Sequence, residues 1–189
     1  MAEFSLPLVL ASGSPRRREI LDQMGLNYTV DVSDVDESFI GSPEMMVAEL
    51  SRRKAEAVAD RHENSLVLAA DTIVYDNGQI LGKPGTPEIA KEMLKDLSGR
   101  RHSVFTGMTL VNTSTHHSLT RVCETYVYFV NMTEREIDEY VATGEPLDKA
   151  GAYAIQGRGG MFVERIEGSY SNVVGLPMAQ LRRMLSEIK

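Results

Sequence analysis

Cysteine, tryptophan and long apolar runs are what these 189 residues have least of. A single cysteine, Cys123, excludes an intrachain disulfide framework and a thiolate metal site, and it fits a reducing cytoplasm. No stretch approaches the roughly 18 consecutive apolar residues of a membrane span. The opening M-A-E-F-S-L-P has neither the basic nor the apolar part of a leader, so a cytoplasmic protein without a membrane partner is expected. Positive charge is scarce too: 20 lysines and arginines against 27 aspartates and glutamates leave a net charge of −7. Such a chain repels nucleic acid as a whole, and an anionic small molecule needs a local basic pocket. Repeats and low-complexity segments are lacking as well. The rest of the composition, 42% hydrophobic and 25% charged, is that of a globular chain able to bury a core as one domain over 1–189.

The front of the chain concentrates what positive charge there is. Leu8–Ala11 reads as a short buried strand, and Ser12-Gly13-Ser14 as a tight connection. Ser14 then stands as N-cap and Pro15 as the first residue of a helix that runs toward Met24 and stops at Gly25. Arg16, Arg17 and Arg18 fill its first turn, where cations oppose the helix dipole. A bound polyanion resolves that conflict, because a helix start offers free N–H groups. The alternative is three solvated arginines.

Further along, Tyr28–Ser33 alternates like a strand and Asp34–Glu37 is acidic. Ser42-Pro43 opens a helix whose inward stripe holds Val47, Leu50, Ala57 and Val58. Lys54 falls on that stripe; either its stem packs while the ammonium reaches water, or the ammonium points into a cleft. Leu66–Tyr75 is apolar on both faces, as a central strand is, and is interrupted by Asp71 and Thr72. A carboxylate there is either satisfied structurally or functional. Asp76-Asn77-Gly78 turns the chain back through Gln79–Leu81, and Gly82-Lys83-Pro84 places a lysine at a bend.

Thr86-Pro87 starts a helix with Ile89, Met93, Leu94 and Leu97 on one face. Strands over His102–Val111 and Thr120–Val130 follow, then a capping box at Thr133–Glu136. Glycines surround Gln156 and Arg158, which suits backbone lying close to a ligand. A strand near Met161–Ile166 and a helix from Pro177 complete a mixed α/β (α+β) chain.

These pieces together resemble the Maf family of nucleoside triphosphate pyrophosphatases. The matching stretches are L-A-S-G-S-P-R-R at 10–17, A-A-D-T-I-V at 69–74, G-K-P at 82–84 and L-S-G-R-R-H-S-V-F-T-G at 97–107. E-P-L-D-K-A-G-A-Y-A-I-Q-G-R-G at 145–159 and S-Y-S-N-V-V-G-L-P at 169–177 follow in the family's order. The resemblance implies an elongated mixed sheet flanked by helices, two lobes with a central cleft in the inosine-triphosphatase-like fold, and a homodimer. It implies cleavage between the α- and β-phosphates with a divalent cation, Mg²⁺ or Mn²⁺. It places the catalytic aspartate on Asp71 and the family's polar and charged site groups on Ser12, Arg17, Glu37, Lys54 and Lys83. Substrate choice falls on Arg16, Thr72 and Gln156, which match the branch acting on dTTP and UTP rather than the branch acting on 7-methyl-GTP.

Phosphoanhydride cleavage needs a positioned water, a proton acceptor and cations facing the phosphoryl charge. Asp71 serves as base or as metal ligand; the second oxygen ligand is one of the adjacent carboxylates Asp36 and Glu37, with Glu37 favoured. Gln156 either reads the neutral pyrimidine edge with its amide or pins the glycine-rich turn. Alternative functions are a pyrophosphatase for 7-methyl-GTP or other modified nucleotides, and a non-catalytic nucleotide-binding regulator of septum formation.

Overall fold

The computed structural model describes residues 6–188; the ends of the 1–189 domain expectation, and most of the M-A-E-F-S-L-P opening, lie outside them. Seven strands form one mixed sheet: β1 (Leu8–Leu10), β2 (Tyr28–Val30), β3 (Leu66–Asp76), β4 (Gln79–Leu81), β5 (Arg101–Asn112), β6 (His117–Phe129) and β7 (Val163–Glu167). Their order is β2-β1-β3-β5-β6-β7, with β4 paired to β3. β1 runs parallel to both β2 and β3, whereas β3–β4 and β6–β7 are antiparallel. The helices are α1 (Pro15–Gln23), α2 (Pro43–Ala59), α3 (Pro87–Leu97), α4 (Glu134–Val141), α5 (Tyr170–Val174) and α6 (Met178–Glu187). The mixed α/β class read from the sequence is the class observed. None of the described helices is long and apolar enough to cross a membrane.

The chain divides into two compact units. Unit 1 takes the chain up to Asp71, Thr106–Cys123 and the chain from Gly175 on; unit 2 takes Thr72–Phe105 and Glu124–Val174. The long strands β3, β5 and β6 therefore each contribute to both.

In unit 1, Val9, Ala11, Val67, Ala69 and Val111 from the strands pack with Ala55 and Val58 of α2. α2 lies close on β5: a Cβ at Gly107 would come within 2.1 Å of the Val47 carbonyl oxygen, so only glycine permits the approach. A buried row of hydroxyls fixes the register, Ser51 Oγ to Thr109 Oγ1 at 3.0 Å and Thr109 Oγ1 to Thr120 Oγ1 at 2.9 Å. The buried stripe of α2 consists of Val47, Leu50, Ser51, Ala55 and Val58. Ala57, expected inside, is half-buried, because Ala55 meets the strands instead.

Unit 2 is built on a larger core, in which Val74, Leu94, Leu97, Phe129, Ile137, Tyr140, Tyr153 and Phe162 are buried together. Thr86 caps α3, and its inner face is Ala90, Leu94 and Leu97; Ile89 lies at the edge of that stripe and is exposed. Asn77 and Gly78 both take positive φ, the expected tight hairpin turn. The reciprocal capping box of α4 forms as its spacing predicts. Three 3-10 turns, at Glu145–Asp148, Ala150–Ala152 and Arg158–Phe162, carry the glycine-rich stretch. Neither these turns nor α5 was foreseen, since each is too short to show a hydrophobic period.

Candidate active site

Five of the residues singled out in the sequence meet in unit 1, and the order of elements explains why. β1 and β3 are neighbouring parallel strands, so the loop leaving β1 and Asp71 on β3 are carried by adjacent elements. Asp71 is 8% exposed, inside a strand whose other described residues as far as Ala70 are buried. Lys54 of α2 reaches it: Nζ lies 2.6 Å from Asp71 Oδ1 and 2.7 Å from Glu37 Oε1. The Lys54 ammonium does not reach out to water: it turns inward onto these two carboxylates, and the side chain is only 12% exposed. One cation thus joins two carboxylates, one from a buried strand and one from the irregular Asp31–Gly41 segment.

Glu37 and its neighbour Asp36 part company here. The Asp36 carboxylate folds back on Ser38, accepting from its N–H at 2.9 Å and from its hydroxyl, which hold its pKa low. Arg53 ties down the same segment by donating to the carbonyl oxygens of Asp36 and Ser38. Glu37 is left to face Lys54.

The α1 side of the cluster is cationic. Arg17 donates from Nη1 to Ser12 Oγ at 3.0 Å and from Nε to the Gly175 carbonyl oxygen at 3.0 Å. Ser12 Oγ also accepts the Ser14 N–H at 3.2 Å. Burial pulls the Arg17 pKa down to about 10; the carboxylates of Asp71 and Glu37 act against that shift and Arg16 adds to it, so the guanidinium stays charged at neutral pH. Ser14 takes the N-cap position before Pro15, as expected, but its side chain caps nothing. Arg16 is half-buried on the same turn, and Arg18 turns back toward the Gly13 carbonyl oxygen.

Unit 2 carries Thr72, Lys83 and Gln156. Thr72 is half-buried, one residue beyond Asp71 on β3. Lys83 is exposed in the loop after β4. That loop is tied to the segment leading to Gln156, through Gly85 N–H to the Leu147 carbonyl at 3.1 Å and Gly151 N–H to the Gly82 carbonyl at 3.2 Å. Gln156 is exposed in the turn between Tyr153 and Arg158. The glycines around it bring the backbone close to groups of the chain itself: Gly157 to Glu145, Gly159 to Tyr140 and Ala154, and Gly160 to the Ile155 carbonyl. Glu145 accepts from the N–H groups of Arg158 and Gly159, both at 3.0 Å, so it is Glu145, and not Gln156, that pins the turn. Neither Glu145 nor Tyr140 stands out in the sequence as a partner of this turn; the one available signal is Glu145 at the head of the E-P-L-D stretch. A pocket against α4, lined in part by Tyr140, Arg158, Met161 and Phe162, also carries Glu136 and Glu139, and those two carboxylates suit a polyphosphate poorly.

No group of three or more histidine, cysteine, aspartate or glutamate side chains converges among the described residues. Two carboxylate pairs among them each share one cation, Asp71 and Glu37 on Lys54 and Glu49 and Glu56 on Arg52, and of the two only the Lys54 pair includes a buried carboxylate.

A family model described as "Maf-like protein" matches residues 7–188. A protein of Bacillus cytotoxicus named dTTP/UTP pyrophosphatase is 50% identical over 181 residues, covering 95% of this chain and 94% of that one. A Desulfotalea psychrophila protein of the same name is 51% identical over 177 residues, covering 93% and 91%. Among solved structures, the Staphylococcus aureus Ham1 protein superposes with a TM-score of 0.53 over 96% of this chain and 98% of that one, at 18% identity, which shows a shared fold.

Proposed function

The chain belongs to the Maf family, and from that premise we propose that it is a nucleoside triphosphate pyrophosphatase that hydrolyses dTTP and UTP to the monophosphate and pyrophosphate. The observation that carries the reading is the Lys54 ammonium held between Asp71 and Glu37, the two carboxylates that also act electrostatically on Arg17. The relatives named dTTP/UTP pyrophosphatase support the choice of substrate.

Each residue has a role that its chemistry allows. Asp71 accepts the proton of the attacking water or helps hold a cation, and its rigid strand fixes where that happens. Arg17 is a preorganised donor: its guanidinium is already anchored by Ser12 and by the Gly175 carbonyl, so little reorganises when phosphate charge develops. The N–H groups at the start of α1, uncapped by Ser14, add partial positive charge. Lys54 and Lys83 supply the remaining cations. Glu37 and Asp71 are hard oxygen donors of the kind that would hold Mg²⁺ or Mn²⁺, which would supply polarisation of the phosphoryl oxygens. Gln156 matches a uracil or thymine edge, which presents both acceptors and a ring N–H, and Thr72 and Arg16 shape that preference. The reading includes one domain, a homodimer and a cytoplasmic setting, supported by the family resemblance and the single cysteine.

The test is a panel of nucleoside triphosphates with added Mg²⁺ or Mn²⁺ and identified products. UMP and dTMP with pyrophosphate are expected, ahead of any purine nucleotide. Release of the nucleoside diphosphate and orthophosphate, or no turnover of any triphosphate, overturns the reading.

A further inference from the structure

Tyr140 and Glu145 surround the Gln156 turn from one side with an unbroken set of hydrogen bonds. The Tyr140 hydroxyl donates to Glu145 Oε1 at 2.7 Å and accepts the Ala154 N–H at 3.2 Å. Glu145 Oε1 also accepts from Gly159 N–H, and Oε2 from Arg158 N–H. Both ends of the 154–159 turn are therefore fastened to one phenol–carboxylate pair, and Gln156 stands at the free crest between them. We propose that Tyr140 and Glu145 are positioning residues for substrate selection, holding the Gln156 amide where it meets the base; this rests on the reading of Gln156 given above.

Three observations make the pair a built device. First, the glycines are shaped to it: a Cβ at Gly157 would sit 2.3 Å from Glu145 Oε2, and one at Gly159 would sit 2.6 Å from the Tyr140 hydroxyl. Second, the pair is rooted in the core of unit 2, since Tyr140 is 3% exposed and its ring meets Phe162 edge-on at 5.3 Å. Third, the carboxylate is kept ionised. Burial raises the Glu145 pKa, but the Gly159 N–H, the Tyr140 hydroxyl, the Arg158 N–H and Lys149 together bring it below the ordinary glutamate value. Hydrogen bonds to an ionised carboxylate are stronger than neutral ones, so Glu145 holds the turn more firmly than a neutral amide can. An exposed glutamine on an unheld glycine-rich turn would sample many positions, and discrimination by hydrogen bonds demands one.

The test compares kcat/KM for UTP, GTP and 7-methyl-GTP in the wild type, Glu145→Gln, Tyr140→Phe and Gln156→Ala. Glutamine at 145 must turn an NH₂ toward a backbone N–H, and phenylalanine at 140 keeps the ring packing while removing the bridge, so that variant carries the test if Glu145→Gln folds poorly. Both are expected to narrow the preference for UTP about 10- to 100-fold, the scale of a misplaced contact. Amide exchange at Arg158 and Gly159 should quicken in both. Glu145→Asp, which keeps the charge, should restore part of the preference. A purely structural pair would lower the rates on all three nucleotides together and leave their ratios alone, which overturns the proposal. If Gln156→Ala changes the ratios but the clamp variants do not, the clamp fails and the reading of Gln156 stands. If Gln156→Ala leaves the ratios unchanged, that reading fails and the clamp proposal falls with it.

Discussion

In unit 1 the ammonium of Lys54 sits between two carboxylates, whereas in unit 2 the carboxylate of Glu145 sits among two backbone N–H groups and a phenol. The first arrangement gathers side-chain charge that can be turned toward a ligand. The second spends its charge on the chain itself and presents a neutral amide, Gln156. On the proposed reading a phosphoanhydride meets the first, where Lys54 and Arg17 supply positive charge for a transition state that is anionic over several oxygens. A pyrimidine edge asks for the second, because a neutral pattern of donors and acceptors is read best by a group of fixed position and mixed polarity.

The comparison breaks most visibly at Asp71. Asp71→Asn keeps the shape but neither accepts a proton well nor binds a cation as a carboxylate does, so turnover should fall about 10²- to 10⁴-fold. Calorimetric titration with a non-hydrolysable nucleotide should still show binding. Turnover near the wild-type rate would remove Asp71 from the chemistry.

Unit 2 offers a pH contrast. His102 is 2% exposed, its Nε2 is 2.8 Å from the Tyr153 hydroxyl, and burial lowers its pKa from 6.5 to about 4. Between those two values the unfolded chain takes up a proton that the folded chain refuses. The stability contributed is therefore complete above about pH 6.5 and declines as pH falls toward 4, by about 3 kcal/mol in all. Urea unfolding at pH 7, 5.5 and 4 should show the decline in the wild type and a shallower one in His102→Gln; equal slopes would contradict it.

A smaller effect belongs to Lys54. Lys54→Met would leave the Asp71 carboxylate inside its strand without the ammonium, and the residual exposure of the pair keeps the cost to about 2 kcal/mol, below that of a wholly buried pair. Adding Asp71→Asn should then recover stability relative to Lys54→Met alone. Simple additivity of the two substitutions in denaturant midpoints would show that the pair is not coupled.

The contrast between the units also explains what was legible in the sequence. Asp71 and Lys54 were visible because a charge at an apolar position breaks a hydrophobic period. The Asn77-Gly78 hairpin and the Thr133–Glu136 capping box were visible because turn and cap chemistry is local. Glu145 and Tyr140 were not, since their partners are backbone N–H groups 13 to 14 residues away, and nothing in residue type marks a backbone donor. Ser14 shows the reverse error: its position is that of an N-cap, but its side chain leaves the first turn uncapped, while Ser12 bonds the Ser14 N–H and Arg17. Ile89 illustrates a limit of periodicity, which marks a stripe without fixing its edges.

If the Asp71–Lys54–Glu37 cluster serves the chemistry and the Gln156 turn serves selection, selection can be altered while the chemistry stays the same. The direct measurement is kcat/KM for UTP and 7-methyl-GTP in the wild type and Gln156→Glu, with products identified. A glutamate only accepts hydrogen bonds, opposes a pyrimidine carbonyl and suits a cationic methylated guanine. The account predicts that the UTP to 7-methyl-GTP ratio falls about tenfold or more, while every triphosphate still yields monophosphate and pyrophosphate. An unchanged ratio, or a change in the bond that is cleaved, would contradict it.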